Sequence, residues 1–280
     1  MKILTWNIQA TKGCDDRYDI TRIIDIIKQY GDLDAICLQE LSKHISDLNN
    51  DDQPSLIHDQ FSDYHMLWGP GFSAPDKAGT RREFGNMTLV KRDLLKNSRV
   101  HSLPSPSVST LQMPRTMVEA VLATGDQQVA LFNAHLAFHS SDERMAQIQM
   151  LTALRNQVTH KTSLDPGLES VGPYRFTNFC SDVILCGDLN VDSDSDMFKD
   201  YISDCGWVDC WTVQSRYSAN DSPQRQPTCG CFDHMQWPQG AHTRDYFLAT
   251  KNIASKTIQV EVDVNTDASD HQPVLLEIAL

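Results

Sequence analysis

The 280-residue sequence lacks any run of about 20 apolar residues, the length that crosses a bilayer, and so reads as a soluble protein with no stable membrane association. It is short of positive charge: 24 Lys and Arg stand against 37 Asp and Glu, a formal net charge of −13. Tight, sequence-blind binding along a polyanion draws its affinity from neutralised phosphates, and this balance works against it. Any phosphate chemistry must therefore be local and assisted by a cation. A disulfide framework is also missing. The eight cysteines, at 14, 37, 180, 186, 205, 210, 229 and 231, are scattered, and Cys37 and Cys186 sit inside apolar runs where a small buried thiol fits. Polar Thr5, Asn7 and Gln9 break the N-terminus before a signal-peptide core of ~7–15 apolar residues forms, so the expected location is cytoplasmic. No linker-like change of composition divides the chain, which is expected to be one domain over 1–280.

Periodicity supplies the elements. Residues 2–9 alternate Ile3 and Thr5 against Leu4, Trp6 and Ile8, as a strand does; Ile20, Ile23, Ile24 and Ile27 make a helical stripe behind an Asp19 cap. Residues 34–41 return to a strand ending in Gln39-Glu40. The Pro-, Gly- and Ser-rich stretch 50–115 is expected to be mostly loop, with short strands at 65–68 and 87–90. Strands follow at 118–122 and 128–136. Ser140-x-x-Glu143 is a capping box for a helix whose stripe is Met145, Ile148, Leu151, Leu154 and Val158, and a polar connection covers 161–180. Residues 183–189 form a strand, and Met197, Phe198, Tyr201 and Ile202 mark a short helix. After an irregular segment from about 212 to 242 come strands at 245–249, 257–264 and 273–278, the middle one alternating Ile258, Val260, Val262 and Val264. Strand-helix-strand ending in Trp6-Asn7 and Gln39-Glu40 has a later echo ending in Asp188-x-Asn190 and Asp245. The pattern predicts sheets covered by helices.

The residues beside the apolar runs are Asn7, Glu40, His135, Asp188, Asn190, Asp245 and Asp270-His271. These types bind hard cations, orient water or donate to phosphate, and their recurrence at successive strand ends points to one shared site. Thr5-Trp6-Asn7, Leu38-Gln39-Glu40, Gly85-Asn86, Asn133-Ala134-His135-Leu136, Gly187-Asp188-Leu189-Asn190, Arg244-Asp245-Tyr246 and Ser269-Asp270-His271-Gln272-Pro273 together resemble, in order and spacing, the motifs of the endonuclease/exonuclease/phosphatase superfamily. No tripeptide is specific alone; the ordered set is.

The resemblance implies a four-layered α/β-sandwich, two mixed sheets face to face with helices outside, and a Mg²⁺-dependent phosphodiesterase for which Mn²⁺ substitutes. It implies Glu40, Asp270 and Asn7 as metal ligands, Asp188 as the group that orients and deprotonates water, and Asn190 and His135 on the phosphate. It also implies a His271 imidazole polarised by Asp245. Water attacking an anionic phosphodiester needs a cation to neutralise charge and an activated nucleophile. Plainer roles stand beside these: Asn7 and Asn190 as strand-end hydrogen bonders, Asp245 as partner of Arg244, and His271 as a turn residue. Asn86 belongs to a segment like that of sphingomyelinase-like members. Arg115 resembles a phosphate-contacting arginine of pancreatic-type deoxyribonucleases, with a salt bridge to Glu119 as the alternative.

Subfamily signals conflict. The segments around Asp188 and Asp245 are similar to those of abasic-site endonucleases, whereas His135 matches deoxyribonucleases and neutral sphingomyelinases. Two loops bear on substrate. One carries Lys77, Arg81 and Arg82 and suits a phosphate or polynucleotide strand, or is simply solvated. The other, 229–242, offers Phe232 and Trp237 for stacking, and its Cys229, Cys231, His234 and His242 are an alternative zinc set without common finger spacing. The expected substrate is nucleic acid or a nucleotide-like ester, with a lipid head-group or small phosphate ester second and a non-catalytic binding module third. Within Leu185-Cys-Gly-Asp-Leu-Asn-Val-Asp-Ser-Asp-Ser-Asp196, Asp188 and Asn190 fall to the site, and Asp192, Asp194 and Asp196 to the start of the next helix. Asp188→Ala is therefore expected to abolish turnover in steady-state assays with urea unfolding unchanged, and Asp194→Ala to lower stability with little effect on rate.

Overall fold

Alternation in the first strand sends its two faces to different cores. In the computed structural model, which describes residues 1–77, 79–106, 111–125, 127–160, 180–215 and 224–280, Ile3 packs inward with Cys37, Val90, Ala120, Leu131 and Cys186. Leu4, Trp6 and Ile8 pack outward against Ile23, Ile24 and Ile27. Among the described residues the strands are β1 (Lys2–Asn7), β2 (Ala35–Lys43), β3 (Tyr64–Pro75), β4 (Arg81–Lys91), β5 (Leu95–Ser102), β6 (Thr116–Thr124), β7 (Gln127–Ala134), β8 (Asp182–Asp188), β9 (Val208–Asp209), β10 (Asp245–Ala249), β11 (Thr257–Val262) and β12 (Val274–Ile278). They form two six-stranded sheets, ordered β11-β12-β1-β2-β4-β3 and β5-β6-β7-β8-β10-β9.

The helices are α1 (Ile20–Gln29), α2 (Gln53–His58), α3 (Ser141–His160), α4 (Asp196–Asp204), α5 (Cys210–Val213) and α6 (Lys251–Ala254). The stripes of α1 and α2 cover the outer face of the first sheet, and those of α3 and α4 the outer face of the second. The result is a four-layered α/β-sandwich. Asp19 caps α1, accepting from Thr21 N at 2.9 Å. Of the capping box, Ser140 Oγ accepts from Glu143 N at 3.2 Å. No helix among the described residues is long and apolar enough to cross a membrane.

Each sheet has one parallel pair at its centre, β1 with β2 and β7 with β8; every other neighbour is antiparallel. The internal echo is therefore β1-α1-β2 against β7-α3-β8. The later unit expected from sequence, running from Asp188 to Asp245, is instead an antiparallel pair.

The described part of stretch 50–115 holds three long strands, β3, β4 and β5, where mostly loop was expected. Two of its glycines mark places where backbones meet rather than breaks: a Cβ on Gly85 would lie 2.2 Å from Gly69 O, and one on Gly71 would lie 2.0 Å from Pro114 O. Pro70 and Pro75 are tolerated because β3 is an edge strand paired only with β4. In β11 the register slips between Thr257 and Gln259, and Ile258 turns out to 37 % exposure. The polar connection 161–179 and residues 216–223 of the irregular segment lie outside the described residues.

The acidic turn also differs in detail from expectation. Ser195 caps α4, accepting from Phe198 N at 3.1 Å, and Asp192 Oδ1 accepts from Asp194 N at 3.0 Å. The carboxylate of Asp194 holds no helix end. Ser195→Ala should cost about 1 kcal/mol in urea unfolding and Asp194→Ala close to none; the reverse order would overturn this assignment.

Candidate active site

Three local devices gather polar groups at one edge of the sandwich. The β2–β4 register slips between Leu38 and Leu41, and Glu40 leaves the ladder at a φ of 59°. Gly187 in β8 has a φ of 125°, and a Cβ there would lie 2.0 Å from Ala134 O of β7. Glycine alone lets the two strand ends close up just before Asp188. Antiparallel register then sets Asp245, the first residue of β10, directly opposite Asp188. Asn190 closes the turn at a φ of 52°, its N–H donating to Asp188 Oδ1 at 2.9 Å.

Asp188 Oδ2 is the meeting point. It accepts from Asn7 Nδ2 at 3.1 Å and lies 3.3 Å from His135 Nε2 and 3.6 Å from His271 Nε2. Asn7 Nδ2 also donates to Glu40 Oε1 at 3.1 Å. Across the cleft, His271 Nδ1 is 2.8 Å from Asp245 Oδ2, which accepts from Thr228 Oγ1 at 2.7 Å. Trp237 Nε1 donates to Asp270 Oδ2 at 3.2 Å. Asn190 Nδ2 donates to Leu136 O at 2.9 Å, and Arg244 Nη1 to Asn190 Oδ1 at 3.3 Å.

The two histidines are driven in opposite directions. Burial and the charges of Arg115 and His271 push His135 well below its ordinary value. Arg115 Nη1, which can only donate, stands 2.9 Å from His135 Nδ1, and the Asn190 amide nitrogen stands 3.0 Å from Nε2, so donors crowd both nitrogens and favour the neutral ring. For His271 burial opposes charge, yet Asp245, Asp188 and Asp270 outweigh it and hold the ring well above its ordinary value. Burial raises the Asp188, Glu40 and Asp270 carboxyls; the charge of Asp270 adds to the rise at Glu40, and His271 partly offsets it at Asp188 and Asp270.

Glu40 and Asp270 have no lysine or arginine within ion-pair distance among the described residues; the imidazole nitrogen beside Glu40, His135 Nδ1 at 3.8 Å, belongs to the ring that burial keeps neutral. Like-charged carboxyls without a cation, with the Asn7 amide beside them, are an oxygen donor set that fits a hard divalent ion. Among the described residues, one group of three potential ligands lies within 4.8 Å of one another: Asp188, Asp245 and His271.

A cleft of about 110 Å³ is lined by Glu40, Arg115, His135, Asp188, Asn190, Asp270 and His271. Asn7 and Asp245 support it from behind, buried to 1 % and 2 % exposure. Asn86 is buried too, donating to Thr116 O at 2.9 Å between the sheets. Arg81 and Arg82 stay outside, tied to Ser73 and to Pro75 O on β3. Phe232 is exposed and does not line the cleft, whereas Trp237 does but is 3 % exposed, with no open face for stacking. Arg115 does not pair with Glu119, which binds Arg99 and His101. Arg244 does not pair with Asp245; its guanidinium lies over the Trp237 ring. The four residues of the alternative zinc set do not converge: His234 is exposed, while Cys229 Sγ meets His242 Nε2 at 3.3 Å.

Sequence reading missed Thr228, Phe138 and Gln236. Thr228 carries no signal, since a lone threonine in an irregular segment looks like solvent-facing loop. The floor was more legible. Gln39 is an uncharged amide inside an apolar strand, and its Nε2 donates to Asn133 Oδ1 of the other sheet at 2.8 Å.

Two facing mixed sheets with carboxylates, amides and two unlike histidines at one edge define the α/β-sandwich phosphoesterases as a class. The chain belongs to the endonuclease/exonuclease/phosphatase family, whose sequence profile matches residues 4–271. Among solved structures it is similar to an endonuclease/exonuclease/phosphatase from Beutenbergia cavernae, at 19% identity and a TM-score of 0.71, covering 99% of this chain and 70% of that one. It is also similar to a mannosyl-6-phosphatase from Bacteroides thetaiotaomicron, at 16% identity and 0.70, covering 100% of both chains. A third likeness is the human Nocturnin catalytic domain with bound sulfate, at 17% identity and 0.61, covering 99% of this chain and 93% of that one. No curated protein matches the sequence.

Gly187→Ala should destabilise the protein by about 3 kcal/mol or more, because the new methyl meets backbone and the φ is forbidden to it. Urea unfolding within about 0.5 kcal/mol of wild type would overturn this reading of the strand junction.

Proposed function

We propose that the chain is a single catalytic unit, a divalent-cation-dependent phosphodiesterase that attacks a nucleotide-like ester with water. The observation that carries this reading is the convergence of Asn7, His135 and His271 on one oxygen of Asp188, beside two carboxyls that lack a cation. Glu40 and Asp270, with Asn7 beside them, are the residues to hold Mg²⁺ or Mn²⁺. Once bound, the ion neutralises phosphate charge and polarises the ester.

Protein groups supply the rest. A carboxyl raised by burial is a stronger base than an ordinary one, and Asp188 takes the proton of the attacking water as the phosphorus–oxygen ester bond breaks. Charged His271, held by Asp245 and Thr228, faces the developing negative charge. Neutral His135, held between Arg115 and Asn190, faces the phosphate, and Asn190 turns its amide from Leu136 O to a phosphate oxygen.

A compact ester is favoured over a long polynucleotide. The cleft is small and the net charge is −13. The Arg81 and Arg82 loop, the best sequence candidate for a strand track, is engaged elsewhere. A cytoplasmic location belongs to the same reading and is supported by eight free cysteines.

The test uses bis-p-nitrophenyl phosphate. Chelation should abolish turnover and Mg²⁺ or Mn²⁺ restore it. Glu40→Gln should lower kcat/KM by about 10²-fold or more. The same change should leave urea stability of the metal-free protein equal or higher, because it removes one of two crowded like charges. Equal activity of metal-free and metal-loaded enzyme, or of Glu40→Gln and wild type on a panel of DNA, RNA, nucleotide, lipid and sugar phosphates, overturns the proposal.

A further inference from the structure

A second hollow, of about 210 Å³, adjoins the cleft and shares two walls with it, Arg115 and Phe138. None of its other lining residues belongs to the chemistry described above. Leu111 and Met113, from the chain leading into β6, form one side; Phe138 and His139, from the loop after β7, form another; Glu143 of α3 is at its base. Two large apolar groups are exposed side by side here, Leu111 at 81 % and Phe138 at 41 %. Phe138 spans both spaces. Its ring meets Trp237 edge-on at 5.9 Å on the cleft side and His139 at 4.9 Å on the other.

The polar groups at the shared wall are specific. Arg115 is 9 % exposed and spends Nη1 on His135, while its Nε is buried with no hydrogen-bond partner. Glu143, at 2 % exposure, has Oε1 engaged by Ser105 Oγ at 3.1 Å and Gln147 Nε2 at 3.3 Å, so its carboxylate is fixed where the hollow ends.

We infer that this hollow is the subsite for the organic part of the substrate, and that the group it takes is a nucleobase: a flat heteroaromatic ring held between Leu111 and the Phe138–His139 pair, offering N–H to Glu143 and an acceptor to Arg115. The inference rests on the phosphodiesterase reading and names its substrate class. A sugar would leave hydroxyls against Leu111 and Met113 without partners, and a lipid tail would set apolar surface against Glu143 and Arg115. A base matches both kinds of wall, since ring faces stack and ring edges hydrogen-bond. Arg115 then links the two spaces, ordering His135 for the phosphate while contacting the group attached to it.

The test compares two chromogenic diesters that release p-nitrophenol under Mg²⁺: the p-nitrophenyl ester of thymidine 5′-phosphate and methyl p-nitrophenyl phosphate. Wild type should favour the nucleoside ester in kcat/KM by about tenfold or more, the contribution of one base-stacking contact. In Leu111→Ala combined with His139→Ala that preference should fall about fivefold or more, through KM. Both side chains are exposed, so the fold tolerates their loss, which circular dichroism and urea unfolding check. Turnover of both esters with a preference near one, or a preference that survives in the double variant, overturns the subsite alone. Turnover of neither ester with any divalent cation overturns the phosphodiesterase reading and the subsite with it.

Discussion

The two sheets meet through a network of hydrogen bonds that a dry core makes compulsory. Gln39 of β2 and Asn133 of β7 stand in the apolar interior, and Gln39 Nε2 donates to Asn133 Oδ1 at 2.8 Å. Gln39 also donates to Thr5 Oγ1 of its own sheet at 3.0 Å, and Asn133 Nδ2 crosses to β4, donating to Met87 O at 2.9 Å and Thr88 Oγ1 at 3.1 Å. Apolar faces can slide over one another at little cost, whereas buried amides lose heavily when displaced. The network therefore sets the offset between the sheets. Glu40 follows Gln39 and His135 lies two residues after Asn133, so the same offset positions the carboxyl and imidazole above.

What the network supports is unfavourable by itself. Glu40, Asp188, Asp245 and Asp270 are crowded into one edge, three of them raised by burial, with charged His271 and Arg115 as the cations closest to them. A fold whose only task was stability would not keep this arrangement. Backbone strain collects at the same place, at Glu40, Gly187 and Asn190, all with positive φ. Strain and like charge together mark the edge as built for a ligand that supplies positive charge.

Much of this was legible beforehand because the physical signals were local. A strand of period two that ends in an acid or amide announces both its core face and its polar tip, as Trp6-Asn7 and Gly187-Asp188 do. Stretch 50–115 misled for the complementary reason. Glycine and proline have the same local signature whether a chain turns or two backbones touch, and the contact of Gly85 with Gly69 O is between segments the local pattern cannot relate. Thr228 and Phe138 were invisible likewise, their importance lying in which neighbours reach them. Trp237 was visible as an aromatic and misread as a stacking platform, since nothing local says that its indole N–H is spent on Asp270.

The sequence by itself determined the strands outside 50–115 and their polar ends, the helix stripes, the family and the residue types at the candidate site, because each follows from short-range periodicity or from order along the chain. Only the tertiary structure decided how those ends share one oxygen of Asp188, which histidine is charged and which neutral, which arginines reach the cleft, and that a second hollow opens beside it. Those properties depend on distances of 3–4 Å between residues as far apart in the chain as Asn7 and Asp188. Hydrogen bonds exist only within that range and charge interactions are strongest there, and only folding creates it.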